Sequence, residues 1–150
     1  MRTCLWFDSE AEDAARFYVS LLPDSRIEGV THFDADQPPV VVNFTLVGVP
    51  YMALNGGPTY KLADAVSIAV QTADQIETDS LWEALLEGGG RESMCGWLVD
   101  RFGLSWQVTP EPVLRLISSD DAAAANRARQ AMFRMRKLNI SAVEEAYLGD

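Results

Sequence analysis

The stretch Asp100-Arg101-Phe102-Gly103-Leu104-Ser105-Trp106-Gln107-Val108-Thr109 decides the fold. Phe102-Gly103 carries turn chemistry, and residues 104–109 read as a short strand. Upstream, residues 91–93 and 96–100 read as two more short strands. Before them, Asp74-Gln75-Ile76-Glu77 forms a capping box, and Ile76, Leu81, Trp82, Leu85 and Leu86 make a helical apolar stripe that Gly88-Gly89-Gly90 stops. Residues 65–71 give the opening strand. The order from 64 to 110 is therefore βαβββ.

The same order is legible in the first half. Residues 3–7 form a β-type run, and Ser9-Glu10-Ala11-Glu12 reads as a capping box. Ala11, Ala14, Ala15, Tyr18 and Leu22 recur at helical spacing until Pro23-Asp24-Ser25 ends the element. Strands are predicted over 27–33, 40–46 and 49–54, the last two joined at a tight Val47-Gly48 bend. The offset from Ser9 to Asp74 matches that from Tyr18 to Trp82, and Gly48 and Gly103 correspond as strand-opening glycines, which marks an internal repeat. We expect one domain over 1–150, made of a first module at 1–58, a second at 64–110 and a helical tail at 111–150. In the tail, Ala124, Ala125, Ala128, Ala131, Met132 and Met135 share a face, and Ser141…Glu144 reads as a third capping box.

Composition narrows the function classes. At 150 residues and 48% hydrophobic, the chain can bury a sizeable core. It has no apolar run long enough for a signal peptide or membrane span, so a cytoplasmic location is expected. The net charge of −10 disfavours nucleic acid and anionic membranes and favours a cationic ligand. Arg127, Arg129, Arg134, Arg136 and Lys137 form a local basic segment, read as a solvated helix face. Cys4 and Cys95 are expected to be free, buried thiols.

A βαβββ repeat closed by Gly103-Leu104-Ser105-Trp106-Gln107-Val108 resembles the vicinal oxygen chelate superfamily of glyoxalase, bleomycin-resistance and dioxygenase proteins. Asp100…Gly103…Gln107 matches that superfamily's Asp-x-x-Gly-x-x-x-Glu frame. Leu5-Trp6-Phe7-Asp8, Ala14-Ala15-Arg16-Phe17-Tyr18, Asn55-Gly56-Gly57-Pro58 and Cys95-Gly96-Trp97-Leu98 look like its PhnB-like branch. The resemblance implies an α+β fold of two fused βαβββ modules forming curved mixed sheets, with an added C-terminal helical segment. Members of the branch often carry a demethylubiquinone methyltransferase label. Neither Asn55-Gly56-Gly57-Pro58 nor Gly88-Gly89-Gly90 has the strand–turn–helix context that holds a nucleotide-like cofactor.

Catalytic relatives in the superfamily hold a divalent ion through residues of the first and last strand of each module. Those slots fall near Thr3, at Met52, at Ser67 and at Gln107, and a shift of register would bring in Cys4. None supplies the imidazole or carboxylate such an ion wants, so no cofactor is expected, with a divalent metal as the alternative. His32, the lone histidine, is read as structural or surface.

The resemblance further implies that strand faces form the binding wall. Its candidate lining is Trp6, Asn43, Met52, Leu54, Asn55, Ser67, Trp97, Ser105 and Gln107, a mixture suited to a small, partly apolar organic ligand. Each aromatic has core packing as its competing role, and Asn55 a plain turn. Asp100 and Glu92 are acid–base candidates only if partly buried. Three functions stay open: a metal-free small-molecule binding protein, a metal-dependent lyase, isomerase or dioxygenase, and an interaction protein acting through its tail. A homodimer is expected, because exposed sheet edges invite pairing.

Overall fold

The computed structural model describes residues 1–149, and the chain divides into two compact units, Met1–Ala63 and Asp64–Asp150. The first runs β1 (Thr3–Phe7), α1 (Ala11–Leu21), β2 (Arg26–Thr31), β3 (Val41–Leu46) and β4 (Val49–Asn55). Its sheet has the order β1-β4-β3-β2, with β1 parallel to β4 and the other pairs antiparallel. Strand alternation sends Leu5, Phe7, Val42, Phe44, Leu46 and Ala53 to the face covered by α1, and all six are buried. Ala11, Ala14, Ala15 and Tyr18 meet them from the helix. Small alanines let α1 lie close, so Tyr18 reaches Phe44 at 6.4 Å between ring centroids and Phe44 stacks on Tyr51 at 5.5 Å.

The second unit repeats the order with β5 (Ser67–Thr72), α2 (Gln75–Leu86), β6 (Arg91–Glu92), β7 (Trp97–Val99) and β8 (Ser105–Pro110). The sheet order is β5-β8-β7-β6, again with the first and last strands parallel. Each unit is thus one βαβββ module. Trp82 and Leu85 of α2 pack over Leu98, Trp106 and Val108, all fully buried. The tail, in the same unit, is α3 (Glu111–Ile117), α4 (Ala122–Met132) and α5 (Ile140–Leu148) around Val113, Ala128, Leu138 and Val143.

The three capping boxes fare differently. Asp74 caps α2 by accepting the Glu77 N–H, while the Glu77 carboxylate accepts from Ala73. Ser9 does not cap α1. The Asn55 side-chain oxygen, 44 residues away, accepts the Ala11 N–H, and Glu12 is drawn off to an i,i+4 pair with Arg16. Ser141 does not cap α5 either. Asn139 accepts from Ala142 and starts the helix at Ile140, leaving Ser141 inside it. Cys4 also corrects an expectation: both thiols are free, but Cys4 is exposed and Cys95 half-buried.

Between α4 and α5 the chain straps itself across the second module. Cys95 and Gly96 donate their N–H groups to the carbonyls of Met135 and Arg136. Gln75 donates to the Leu138 carbonyl and accepts from the Ile140 N–H, as a neighbouring strand would. Arg136 pairs with Glu92, and Lys137 with Asp79 at 2.8 Å. Hydrogen bonds from Lys137 and then Gln75 hold the Asp79 carboxyl below its ordinary range. A carboxylate whose folded pKa is lowered contributes stability above its unfolded pKa and loses it as pH falls through the folded value. We therefore expect Asp79→Asn to flatten part of the acid limb of the stability–pH curve while leaving its slope at neutral pH unchanged. Urea unfolding of both proteins across the acid range checks this.

No described helix is long and apolar enough to cross a membrane.

Candidate functional site

Opposite its helix, each sheet has a second face, exposed to half-buried at Cys4, Trp6, Met52, Ser67, Trp97 and Gln107 but closed over Val99 and Ser105. In the second module that face carries Ser67, Ser105, Gln107, Trp97 and Val99, on three adjacent strands. Gln107 sits on β8 between Ala69 of β5 and Trp97 of β7, and Ser105 sits between Ser67 and Val99. Four of the predicted lining residues, Ser67, Trp97, Ser105 and Gln107, are thus brought together.

Their hydrogen bonding is unbalanced. The Gln107 Nε2 donates to the Ser67 Oγ at 2.8 Å, which orients the amide and leaves its Oε1 as an acceptor with no partner among the described residues. The Ser105 Oγ is buried, in a residue only 1% exposed, and has no partner among the described residues. A buried hydroxyl in that state costs roughly 1–3 kcal/mol. Such orphans are rare in folded proteins. Ser105→Ala is accordingly expected to raise the stability of this unit by about 1 kcal/mol. An unchanged or lowered denaturation midpoint would mean that the hydroxyl is already satisfied.

The first module places its candidates less uniformly. Met52 of β4 lies between Cys4 of β1 and Asn43 of β3, one row across three strands, so Met52 and Gln107 do hold equivalent positions. Trp6 and Leu54 share that face, but the Trp6 ring is covered. Its Nε1 donates to the Gly57 carbonyl at 2.8 Å, Tyr60 meets it edge-on at 5.0 Å, and a Cβ on Gly56 would fall 2.2 Å from the indole. Asn55 points the other way, toward α1. Its Oδ1 caps Ala11 and its Nδ2 donates to the Pro39 carbonyl, so both ends are engaged. It is neither a plain turn nor a free ligand-facing amide, because adjacent strand residues face opposite sides.

The metal slots can be read from the same registers. Thr3 has the parity of the helix-covered face and pairs with Tyr51; Cys4 is the residue beside Met52. The matching neighbour of Gln107 is Ala69, with Ser67 two residues away. Cysteine and methionine in one module, and alanine, serine and glutamine in the other, do not fit a divalent transition ion. Among the described residues no group of three or more His, Cys, Asp and Glu is placed to hold a metal. Although Cys4 is exposed, partial desolvation by its neighbours raises its thiol above the ordinary range, which lowers its thiolate fraction. His32 is exposed, with Nδ1 bound to the Gln37 carbonyl.

Asp100 was missed as a structural residue. It is 3% exposed, and its carboxylate accepts N–H groups from Phe102, Leu104 and the Trp106 indole at 2.8, 3.0 and 2.8 Å. Gly103 follows with a left-handed φ of 88°. The Asp-x-x-Gly pattern is therefore the device that turns β7 into β8 and sets where Ser105 and Gln107 begin. Glu92 is engaged too, accepting from the Trp82 indole and Arg136.

Comparison with known proteins agrees with this geometry. A PhnB protein from Bacillus cereus is 28% identical, with TM-score 0.67 over 73% of this chain and 98% of its own. A Pseudomonas aeruginosa protein is 23% identical, with TM-score 0.61 over 74% and 96%. The fosfomycin resistance protein FosX of Mesorhizobium loti, 13% identical, has TM-score 0.53 over 73% and 88%, and shares the fold alone. None of the curated proteins matches the chain.

The fold is that of the glyoxalase and bleomycin-resistance proteins, two βαβββ modules with a helical extension. Residues 1–109 match the PhnB-like family described as 3-demethylubiquinone-9 3-methyltransferase, and the chain belongs to that family. Neither glycine-rich loop among the described residues forms a nucleotide-cofactor cradle of the strand–turn–helix kind. Asn55-Gly56-Gly57-Pro58 closes over Trp6, and Gly88-Gly89-Gly90 ends α2, so neither opens a helix toward a nucleotide.

Proposed function

We propose that this protein binds a small, partly apolar organic molecule, without a metal, on the face of its second module opposite α2. The observation that carries the reading is the Gln107 Oε1, an oriented acceptor with no partner among the described residues, beside the half-buried Trp97 indole. A fixed acceptor next to an aromatic surface selects a ligand with an N–H or O–H donor on an apolar frame. The net charge of −10 favours a cationic one by long-range attraction.

The donor set at the slots supports binding over metal-dependent lyase, isomerase or dioxygenase chemistry, the alternative reading. Gln107→Leu keeps the side chain's volume and removes the acceptor, so it is expected to weaken a bound ligand at least about tenfold, or about 1.4 kcal/mol. Trp97→Ala should weaken it comparably through lost apolar contact. Isothermal titration of both variants with any ligand of the wild type checks this, and unchanged affinity in both sinks the assignment. We further propose a homodimer, since β1 and β2 leave sheet edges unpaired within the first unit. Sedimentation equilibrium as a monomer would contradict it.

A further inference from the structure

The tail carries a feature that the binding face does not explain. Between Asp121 and Glu144 the chain has five of its twelve basic residues and no acidic one, in a protein of net charge −10. Four of the five are engaged. Arg129 donates to the Ile117 carbonyl at the end of α3, Arg127 donates to the Ala146 and Tyr147 carbonyls at the end of α5, and Arg136 and Lys137 hold the strap through Glu92 and Asp79. Arg134 donates its backbone N–H to the Ala131 carbonyl, while its side chain makes no bond among the described residues and is exposed.

That unpaired guanidinium lines a cleft of about 350 Å³ between α4 and α5, with Asn126, Arg127 and Gln130 as the other polar walls. The remainder of the lining is Ala131, Ala146 and Gly149, small enough to leave bare backbone and open space. Arg127 uses its Nε and one terminal nitrogen on α5, and its other terminal nitrogen is unpaired among the described residues. By covering the α5 carbonyls it also removes the negative end of that helix from the cleft. What remains is two guanidinium groups and two side-chain amides around a small void, all able to donate.

We propose that this cleft is a second binding site, which takes an oxyanion, a carboxylate or phosphate group on a small molecule. Arginine suits such groups because its planar fork matches two oxygens at once. The acidic remainder of the chain does not forbid it, since repulsion between exposed charges is screened beyond about 8 Å at physiological salt. The cleft is shallow and open to solvent, which suits holding one charged group against its wall and not enclosing a whole small molecule. The site lies outside residues 1–109, the part that matches the family.

The test is an amide and arginine side-chain NMR titration of the full chain with citrate and, separately, inorganic phosphate, against sodium chloride at matched ionic strength. Saturable shifts confined to residues 126–134 and 146–149 are expected with at least one of the two, and the pair tells carboxylate from phosphate. Arg134→Gln should weaken that binding at least tenfold while keeping the wild-type melting temperature, because the Arg134 side chain bonds no other group among the described residues; Arg115→Gln, another exposed arginine of the same unit, should leave binding unchanged. Shifts that sodium chloride reproduces, that never saturate, or that survive in Arg134→Gln would overturn the proposal. Failure here leaves the Trp97 and Gln107 face untouched, since those residues are not part of the cleft.

Discussion

Asp100→Asn is expected to destabilise the unit Asp64–Asp150 by about 3 kcal/mol, although it changes one atom. The retained oxygen can still accept from Phe102 and Leu104, but the new amide nitrogen faces the Trp106 indole N–H across 2.8 Å, donor against donor, inside the core. Rotating the amide only moves the conflict to the backbone N–H groups. A charge-assisted bond, worth about 1.5–3 kcal/mol, is exchanged for a buried unpaired donor that costs about 1–3. In the background of Trp106→Phe, which has no indole donor, the same change should cost at least about 1 kcal/mol less, and a double-mutant cycle by urea unfolding measures that coupling. If Asp100→Asn leaves stability within about 0.5 kcal/mol of wild type, Asp100 does not hold the β7–β8 turn and a chemical role returns to consideration.

The second large effect is expected from Gly96→Ala. Gly96 has φ of +80°, and a Cβ there would lie 2.7 Å from the Val108 carbonyl and 3.2 Å from Leu138, where the strap crosses the second module. The left-handed backbone alone costs a non-glycine residue about 1–2 kcal/mol. Overpacking against backbone adds about 1–3 kcal/mol. Together they predict a loss of about 3 kcal/mol, or a melting temperature lower by about 12 °C or more in a unit of this size. Gly103→Ala is the comparison, since Gly103 shares the left-handed φ of 88° but has nothing within 4 Å of its Cβ position. It should cost only the backbone strain. Equal losses in the two variants would mean that the strap yields and does not lock the turn.

These residues also show which information was local. Asp74 and Glu77 lie within one helical turn of their partners, so the capping box was legible, as were the glycine runs and the βαβββ order of elements along the chain. Asn55 was not, because its cap on α1 needs β1 and β4 paired in parallel first. The first-strand slot failed by one residue for a related reason. Strand period is two, so a shift from Thr3 to Cys4 reverses the face, and only the register with Met52 fixes it. On the second module alternation puts Ser67, Trp97, Ser105 and Gln107 on one face, as the register has them, but does not show that Gln107 bonds Ser67 or that the Ser105 Oγ has no partner among the described residues. The basic segment read as a solvated helix face because its acceptors are carbonyls and carboxylates up to 58 residues away in sequence, as for Lys137 and Asp79. Arg136 and Lys137 in fact follow the end of α4 at Met132 and are not helical.

The most direct test of the account is a ligand-observed NMR screen of small cationic and neutral aromatic compounds, run on protein stripped with chelator and checked for metal by elemental analysis. Binders are expected that persist without metal and are weakened by Gln107→Leu. One tightly held divalent ion per chain, with every binder lost on its removal, would contradict metal-free binding and establish the metal-dependent alternative.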